Sequence, residues 1–248
     1  MKTWMTKKDE LLTTPLPLAQ KRYGVIPHSV FLNEIQEKLE NKGYEITQER
    51  YLTANNNQMM TGTYSLKPNS WDSGIEISPA VTFVNSYNKT RKAELKAGVM
   101  VLVCSNGMIG LKGERYSRKH LGNEALNDFR EHINNVIDGV KDEFDRLLLN
   151  IEEMKAISLN NVRKALLIGD MFLNNEIILP AQLSILKREI KTSQNFTGDS
   201  AYDFYQNVTE SFKENHPLNY DRQMVKFHSY ISDMLQLSRA TNLFKSIF

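Results

Sequence analysis

Cysteine, long apolar runs and an excess of charge of one sign are all missing from this sequence. Its 248 residues include one cysteine, Cys104, which can form no internal disulfide and cannot supply a thiolate metal cluster. The longest apolar runs, such as residues 99–104, are far shorter than the roughly 20 residues of a membrane-spanning helix. Lysine and arginine (31) nearly balance aspartate and glutamate (29), which excludes a histone-like tail and an acidic solvating protein. The N-terminus lacks the apolar stretch of a secretory signal, so we expect a cytoplasmic protein with no membrane partner.

The first part of the chain combines an irregular segment with one helix. Three prolines, Pro15, Pro17 and Pro27, predict that residues 1–27 are irregular, because proline has no N–H to donate. Ser29 is expected to cap a helix whose apolar residues recur at helical spacing until Gly43 follows its end.

Strand signals follow this helix. Candidate strands cover residues 44–47, 59–66, 75–86 and 99–104, with a turn at 55–57 and a loop at 67–74. Pro79 suggests an edge strand or a bulge, and the β-branched run at 99–104 suggests a strand buried on both faces. Asn106-Gly107 predicts a two-residue hairpin, because a type I′ turn needs positive φ at both positions. These signals predict a small antiparallel sheet with a packed helix.

The second half has helical periodicity. Between residues 124 and 157 the intervals between apolar residues alternate between three and four, which predicts one long helix with a narrow apolar seam. Gly139 lies inside it and weakens its continuity. Further helices are predicted near residues 160–173, 180–192, 199–214 and 220–240. The fold class is therefore α+β, with an irregular segment at 1–27, an α+β domain with a basic hairpin at 28–120, and a helical domain at 121–248.

Positive charge is concentrated in residues 86–120, which carry a net charge of +6 while the rest of the chain sums to −4. A basic surface beside a sheet, with an aromatic ring for stacking, is what binding to single-stranded nucleic acid needs. The alternative is that these side chains belong to solvated loops, and the sequence leaves both readings open. The candidate nucleic-acid-binding residues are Lys89, Arg91, Lys92, Lys96, Lys112, Arg115, Tyr116, Arg118, Lys119 and His120.

No group of residues predicts an enzyme, a metal site or a cofactor. The five histidines lie far apart, with no His-x-x-x-His pair and no companion cysteines. The glycines at 107, 110 and 113 have the spacing of neither a dinucleotide fingerprint nor a phosphate loop. Cys104 ends an apolar run and is expected to be buried and inert.

Five motifs occur together in one order. They are Pro-His-Ser-Val at 27–30, Ser-Pro-Ala-Val-Thr-Phe-Val-Asn-Ser-Tyr-Asn-Lys at 78–89, Ala-Gly-Val-Met-Val-Leu-Val-Cys-Ser-Asn-Gly-Met at 97–108, Arg-Lys-His-Leu-Gly at 118–122, and Tyr-Asp-Phe-Tyr-Gln-Asn-Val-Thr-Glu at 202–210. This set resembles the phage/plasmid-like proteins of unknown function that bacterial mobile elements carry. Asn88 and Leu121 depart from that family's usual Asp and Thr. A more distant similarity is to single-strand annealing recombinases, which place a helix before a small antiparallel sheet and bind DNA in a basic groove.

The basic segment at 86–120 and the resemblance together favour a protein of DNA metabolism in the cytoplasm of a bacterial host. We expect it to bind single-stranded DNA and to promote annealing without covalent chemistry, with a homo-oligomer as an open alternative to a monomer. A second hypothesis is a protein-interaction module, such as an inhibitor of a host defence enzyme or a replication accessory factor. In that case the basic segment is solvated and the partner is a host or phage protein.

Overall fold

A computed structural model describes residues 6–18, 24–68, 77–89, 91–101, 106–109, 115–118, 125–215 and 217–241. The chain divides into two compact units, the first formed by Met1–Leu102 with Lys112–Phe144 and the second by Val103–Leu111 with Asp145–Phe248. The described elements are α1 (Lys8–Leu12), α2 (His28–Asn41), β1 (Tyr44–Ala54), β2 (Met59–Pro68), β3 (Ile77–Ser86), β4 (Ala93–Val101), β5 (Asn106–Ile109), β6 (Arg115–Arg118), α3 (Ala125–Asp138), α4 (Val140–Ala156), α5 (Asn161–Leu173), α6 (Pro180–Thr192), α7 (Ala201–Phe212) and α8 (Pro217–Thr241).

Five strands of the first unit, β1 to β4 and β6, pair antiparallel in one sheet. Strands β1 to β4 pair in sequence order, and β6 adds to the far side of β4. The turn between β1 and β2 is formed by Asn55, Asn56 and Asn57, all of which have positive φ (54°, 54° and 62°). Asparagine tolerates this conformation better than other side chains. The predicted α+β class, with its small antiparallel sheet and helical C-terminal half, is confirmed.

Two helices cover one face of this sheet. Phe31 of α2 stacks on Phe129 of α3 with ring centroids 4.5 Å apart, and it meets Phe83 of β3 edge-on at 6.2 Å. Phe83 also contacts Tyr64, which is fully buried. Each aromatic ring removes a large apolar area from water, so this cluster fixes both helices on the sheet.

β1, β2 and β4 are longer than their sequence signals indicate. β1 runs from Tyr44 to Ala54 and contains a bulge between Ile46 and Gln48. β3 is an inner strand, which corrects the suggestion of an edge at Pro79; its pairing with β2 ends at Ala80, so Pro79 pairs with β4 alone.

Three local predictions are wrong. Ser29 lies inside α2, because Pro27 takes the N-cap position without a side-chain hydrogen bond. The Asn106-Gly107 pair lies within β5 and forms no hairpin turn, since a two-residue turn signal is local and strand pairing overrides it. Within the predicted irregular segment, residues 8–12 form α1, which buries Leu11.

The predicted long helix is two helices that separate at Gly139. Hydrogen bonds of the helical type still flank the break, from Gly139 N–H to Asn135 and from Glu143 N–H to Gly139. The apolar seam is buried as predicted, with at most 1% of each side chain exposed from Phe129 to Met154. The buried seam residues are Phe129, Ile133, Val136, Val140, Phe144, Leu147, Ile151 and Met154.

The first unit extends past the predicted boundary at residue 121. Residues 112–144 belong to it, because α3 completes the core on the sheet. The second unit begins inside α4 and also takes residues 103–111 from between β4 and β6. Cys104 lies outside the described residues, so its predicted burial stays a prediction.

The second unit is built around α7 and α8. Tyr205 stacks on Phe227 with ring centroids 4.7 Å apart, and Phe212 meets the same Phe227 edge-on at 5.6 Å. Ser200 caps α7 by accepting the N–H of Asp203 at 3.0 Å. The four predicted helices of this half correspond to α5, α6, α7 and α8.

Candidate nucleic-acid interface

Strand register brings cations and hydroxyls into one row across the sheet. Arg50 pairs with Thr63, Thr63 with Thr82, Thr82 with Lys96, and Lys96 with Arg115. Side chains alternate between the two faces of a strand, so the row lies on the face opposite Tyr64 and Phe83. At roughly 4.8 Å between neighbouring strands, it spans about 19 Å from β1 to β6. We call these five residues the cation–hydroxyl row.

The two threonines of the row keep some access to solvent, whereas their neighbours on the same face of β2 and β3 are buried. Thr63 is half-buried. Its neighbours on the same face of β2 are more deeply buried, with 9% of Thr61 and 1% of Ser65 exposed. Thr82 is half-buried between Ala80 and Val84, which are buried. Arg115 is exposed at the end of the row. The inner strands of this face therefore present their hydroxyls along a single line.

A carboxylate in the adjacent row neutralises part of the predicted basic patch. Glu94 Oε2 lies 2.7 Å from the Lys96 ammonium, and Glu94 Oε1 lies 3.6 Å from Arg91 Nη2. Only 4% of the Arg91 side chain is exposed, so a phosphate cannot reach it without a rearrangement. Arg91 thus belongs to the interior and is removed from the predicted interface. Lys96 remains a member of the row, with its charge shared with Glu94.

The prediction that Tyr116 stacks on bases is wrong. Only 5% of Tyr116 is exposed, and its ring packs edge-on against Phe129 with centroids 5.2 Å apart. In β6 the alternation of side chains points Arg115 and Ser117 outward and Tyr116 into the core.

The other predicted residues are divided between a loop and the undescribed part of the chain. Lys89 and Lys92 are exposed between β3 and β4, and Lys89 has a positive φ of 63°. Arg118 pairs with Ala93 through its backbone. Lys112, Lys119 and His120, together with the side chain of Arg118, lie outside the described residues.

Sequence reasoning missed Arg50, Thr63 and Thr82. Alternation counted from Tyr44 and Ile46, which pack against the core, places Arg50 on the inner face. The bulge after Ile46 shifts the alternation by one residue and brings Arg50 to the outer face. The two threonines carry no charge signal, and only the register places them beside the cations.

Two of the motifs that carry the family resemblance meet in a buried hydrogen-bond network. The Asn85 side-chain amide donates to the Ile26 carbonyl at 2.9 Å and to His28 Nδ1 at 3.0 Å. Nδ1 of His28 is therefore an acceptor, and Nε2–H donates to the Asn57 carbonyl at 2.9 Å. The His28 ring stacks on Tyr87, whose hydroxyl accepts the His28 backbone N–H at 2.6 Å. This network fixes the start of α2 against the ends of β1 and β3, so these motif residues are structural.

The motif at 202–210 is structural as well. Seven of its residues are buried inside α7, among them Phe204 and Tyr205 with no exposed surface. Its buried side chains form the centre of the second unit.

A model of a domain family of unknown function, DUF932, matches residues 15–242. The chain belongs to the DUF932 family. No curated protein and no solved structure matches the chain. The resemblance to an uncharacterised family is therefore confirmed, and the DUF932 match covers residues of both compact units.

Among the described residues, no three side chains of histidine, cysteine, aspartate or glutamate come together as metal ligands would. No described helix has both the length and the apolar character needed to cross a bilayer.

Proposed function

We propose that this protein binds single-stranded DNA along the cation–hydroxyl row and serves the DNA metabolism of a phage or mobile element. Its role is to hold strands, and to promote their annealing, without covalent chemistry. The observation that carries the proposal is the register that aligns Arg50, Thr63, Thr82, Lys96 and Arg115 on one face.

The chemistry of the row suits a phosphate backbone. Arginine forms two parallel hydrogen bonds to a phosphate, and threonine hydroxyls donate to phosphate oxygens. Contacts to phosphates carry no sequence information, so binding is expected to tolerate different base sequences. A row of about 19 Å is long enough to contact several phosphates of one strand.

The Glu94–Lys96 ion pair limits the affinity. A phosphate that approaches Lys96 replaces a carboxylate 2.7 Å away, so the two acceptors compete for one ammonium. Arg115, which is exposed at the end of the row, is therefore expected to contribute more than Lys96. Binding is expected to be strong at low salt and to weaken steeply as salt rises.

The biological setting of the proposal rests on the five motifs. Their order resembles proteins of bacterial mobile elements, which favours the cytoplasm of a bacterial host. The more distant similarity to single-strand annealing recombinases favours annealing as the consequence of binding, since those proteins also use a helix and a small sheet.

The test is the salt dependence of binding to a labelled single-stranded oligonucleotide, followed by fluorescence anisotropy. Each phosphate contact contributes a slope of about 0.7 in log K against log salt for single strands. The double variant Arg50→Ala/Arg115→Ala is expected to reduce the slope by about 1.4, equally for unrelated base sequences.

Two control variants locate the interface. Lys187→Ala/Lys191→Ala removes two exposed charges from α6 and is expected to leave the slope unchanged. Lys89→Ala/Lys92→Ala removes two exposed charges from the loop before β4. If the slope of log K against log salt falls in this variant alone, the interface lies at that loop and not along the row. Absence of binding at low salt would refute DNA binding, and the protein-interaction hypothesis would replace it.

A further inference from the structure

Helix α5 is apolar in sequence but buries little of its apolar surface. Eight of its thirteen residues are apolar, and among them only Met171 is buried. The exposed fractions are 64% for Val162, 51% for Leu166 and 73% for Leu173. A solvated helix normally carries its apolar residues toward a core, so this exposure needs an explanation.

The three large exposed apolar residues lie on one stripe along the helix. Val162, Leu166, Gly169 and Leu173 follow at intervals of four, three and four, which keeps them on one face at 100° per residue. We call these four residues the α5 stripe, which is about 16 Å long. A Cβ added to Gly169 would meet nothing within 4 Å, so there is open space beside the residue with the smallest side chain in the stripe.

We infer that the α5 stripe is the interface with a second copy of this chain, bound through antiparallel packing of the two α5 helices. When a two-fold axis passes between positions 167 and 168, Val162 lies opposite Leu173 of the second copy. Leu166 then lies opposite Gly169 of the second copy, so a large side chain meets an open position. The stripe is therefore complementary in size to its own reverse, as an interface between identical copies requires.

The charges beside the stripe give the same orientation. Arg163 and Asp170 both lie about 90° around the helix from the stripe, on the same flank. In an antiparallel pair related by a two-fold axis, like flanks face each other, so Arg163 of each copy faces Asp170 of the other. In a parallel pair, the flank that carries Arg163 faces the other flank of the second copy, and Arg163 meets Ala165 there. Charge complementarity thus selects the antiparallel arrangement.

Asp170 is held in place for this contact. Its carboxylate accepts hydrogen bonds from Asn174 at 2.8 Å, from Asn175 at 2.9 Å and from Tyr230 at 2.7 Å. A carboxylate offers about four acceptor positions, so it can accept a bond from an arginine in addition. The side chain therefore needs no reordering when a second copy arrives.

The first test is the oligomeric state as a function of concentration. One helix per copy is a small interface, so we expect a dimer that dissociates in the micromolar range. Sedimentation velocity is expected to show the change from monomer to dimer, and Leu166→Glu is expected to shift the midpoint at least tenfold upward. Gly169→Leu, at a position with open space around it, is expected to do the same by blocking close approach. The matched control, Leu149→Glu, changes a leucine that is 66% exposed on α4 and is expected to keep the dimer.

The second test is the orientation of the helices. In a Cys104→Ser background, a mixture of Val162→Cys and Leu173→Cys chains is expected to crosslink with a short bifunctional maleimide. Each chain alone is expected to crosslink far less. A monomer at all concentrations, or a dimer indifferent to both Leu166→Glu and Gly169→Leu, would overturn the inference. Crosslinking of Val162→Cys chains to each other in preference to the mixture would overturn the antiparallel arrangement.

Discussion

A buried histidine makes the stability of the second unit sensitive to mild acid. His228 of α8 is 2% exposed, and the edge of its ring meets Tyr205, with centroids 6.0 Å apart. Burial removes water from the imidazolium and lowers the pKa of His228 to about 4, from an ordinary value of 6.5. The unfolded chain therefore binds a proton at a higher pH than the folded chain does.

The sign and size of the effect follow from proton linkage. Above pH 6.5 the imidazole is neutral in both states, and His228 contributes no pH dependence. Between pH 6.5 and pH 4 the unfolded state takes up the proton first, so the free energy of unfolding falls as the pH falls. At about 1.4 kcal/mol per pKa unit, the loss is about 2 kcal/mol by pH 5 and about 3 kcal/mol by pH 4.

The measurement is urea unfolding followed by far-ultraviolet circular dichroism near pH 8 and near pH 5. The variant His228→Gln has no titrating group at this position, so its loss of stability between the two pH values is expected to be about 2 kcal/mol smaller than that of the original protein. Its absolute stability at pH 8 does not enter the comparison. His132→Gln is the matched control, because it makes the same substitution at an exposed position on α3. Equal pH dependence in the His228→Gln variant and the original protein would refute the argument.

Two further predictions concern the first unit. In Gly62→Ala the new Cβ lies 2.5 Å from Cζ of Phe83 in a packed core, so we expect the free energy of unfolding in urea to fall by about 1–3 kcal/mol. The double variant Gly62→Ala/Phe83→Leu is expected to recover part of this loss. An unchanged urea midpoint for Gly62→Ala would contradict the packing. In Asn85→Asp a buried carboxylate replaces the amide that donates to Ile26 and His28, so we expect the melting temperature to fall by several degrees. An unchanged melting temperature would mean that the network contributes little to stability.

The helical half was predictable because its information is local. The apolar intervals of α3 and α4 identify the buried face from Phe129 to Met154, since residues three and four apart share a face. The ends of α5 to α8 lie close to asparagine, proline and glycine positions that the sequence displays. The break at Gly139 was less predictable, because the low helix propensity of glycine can be overridden by packing.

The candidate interface was less predictable because its information is non-local. The row joins Arg50 to Arg115 through three intervening strands, and no pattern in the sequence states which residues pair. The one-residue bulge in β1 reverses the inward and outward positions that follow it. Tyr116 shows the same limit, because β6 has four residues, too few for alternation to show which face is buried.

The order of elements along the chain also has a consequence during synthesis. β4 ends at Val101, but α3, which covers the same sheet face as α2, ends only at Asp138. At about 5–20 residues per second, the ribosome needs roughly 2–7 seconds to make the intervening residues. For part of that time the nascent sheet has β1 to β4 but lacks both β6 and Phe129, the ring on which Phe31 stacks. The incomplete core is thus open to chaperones, or to other nascent chains, before the first unit can close.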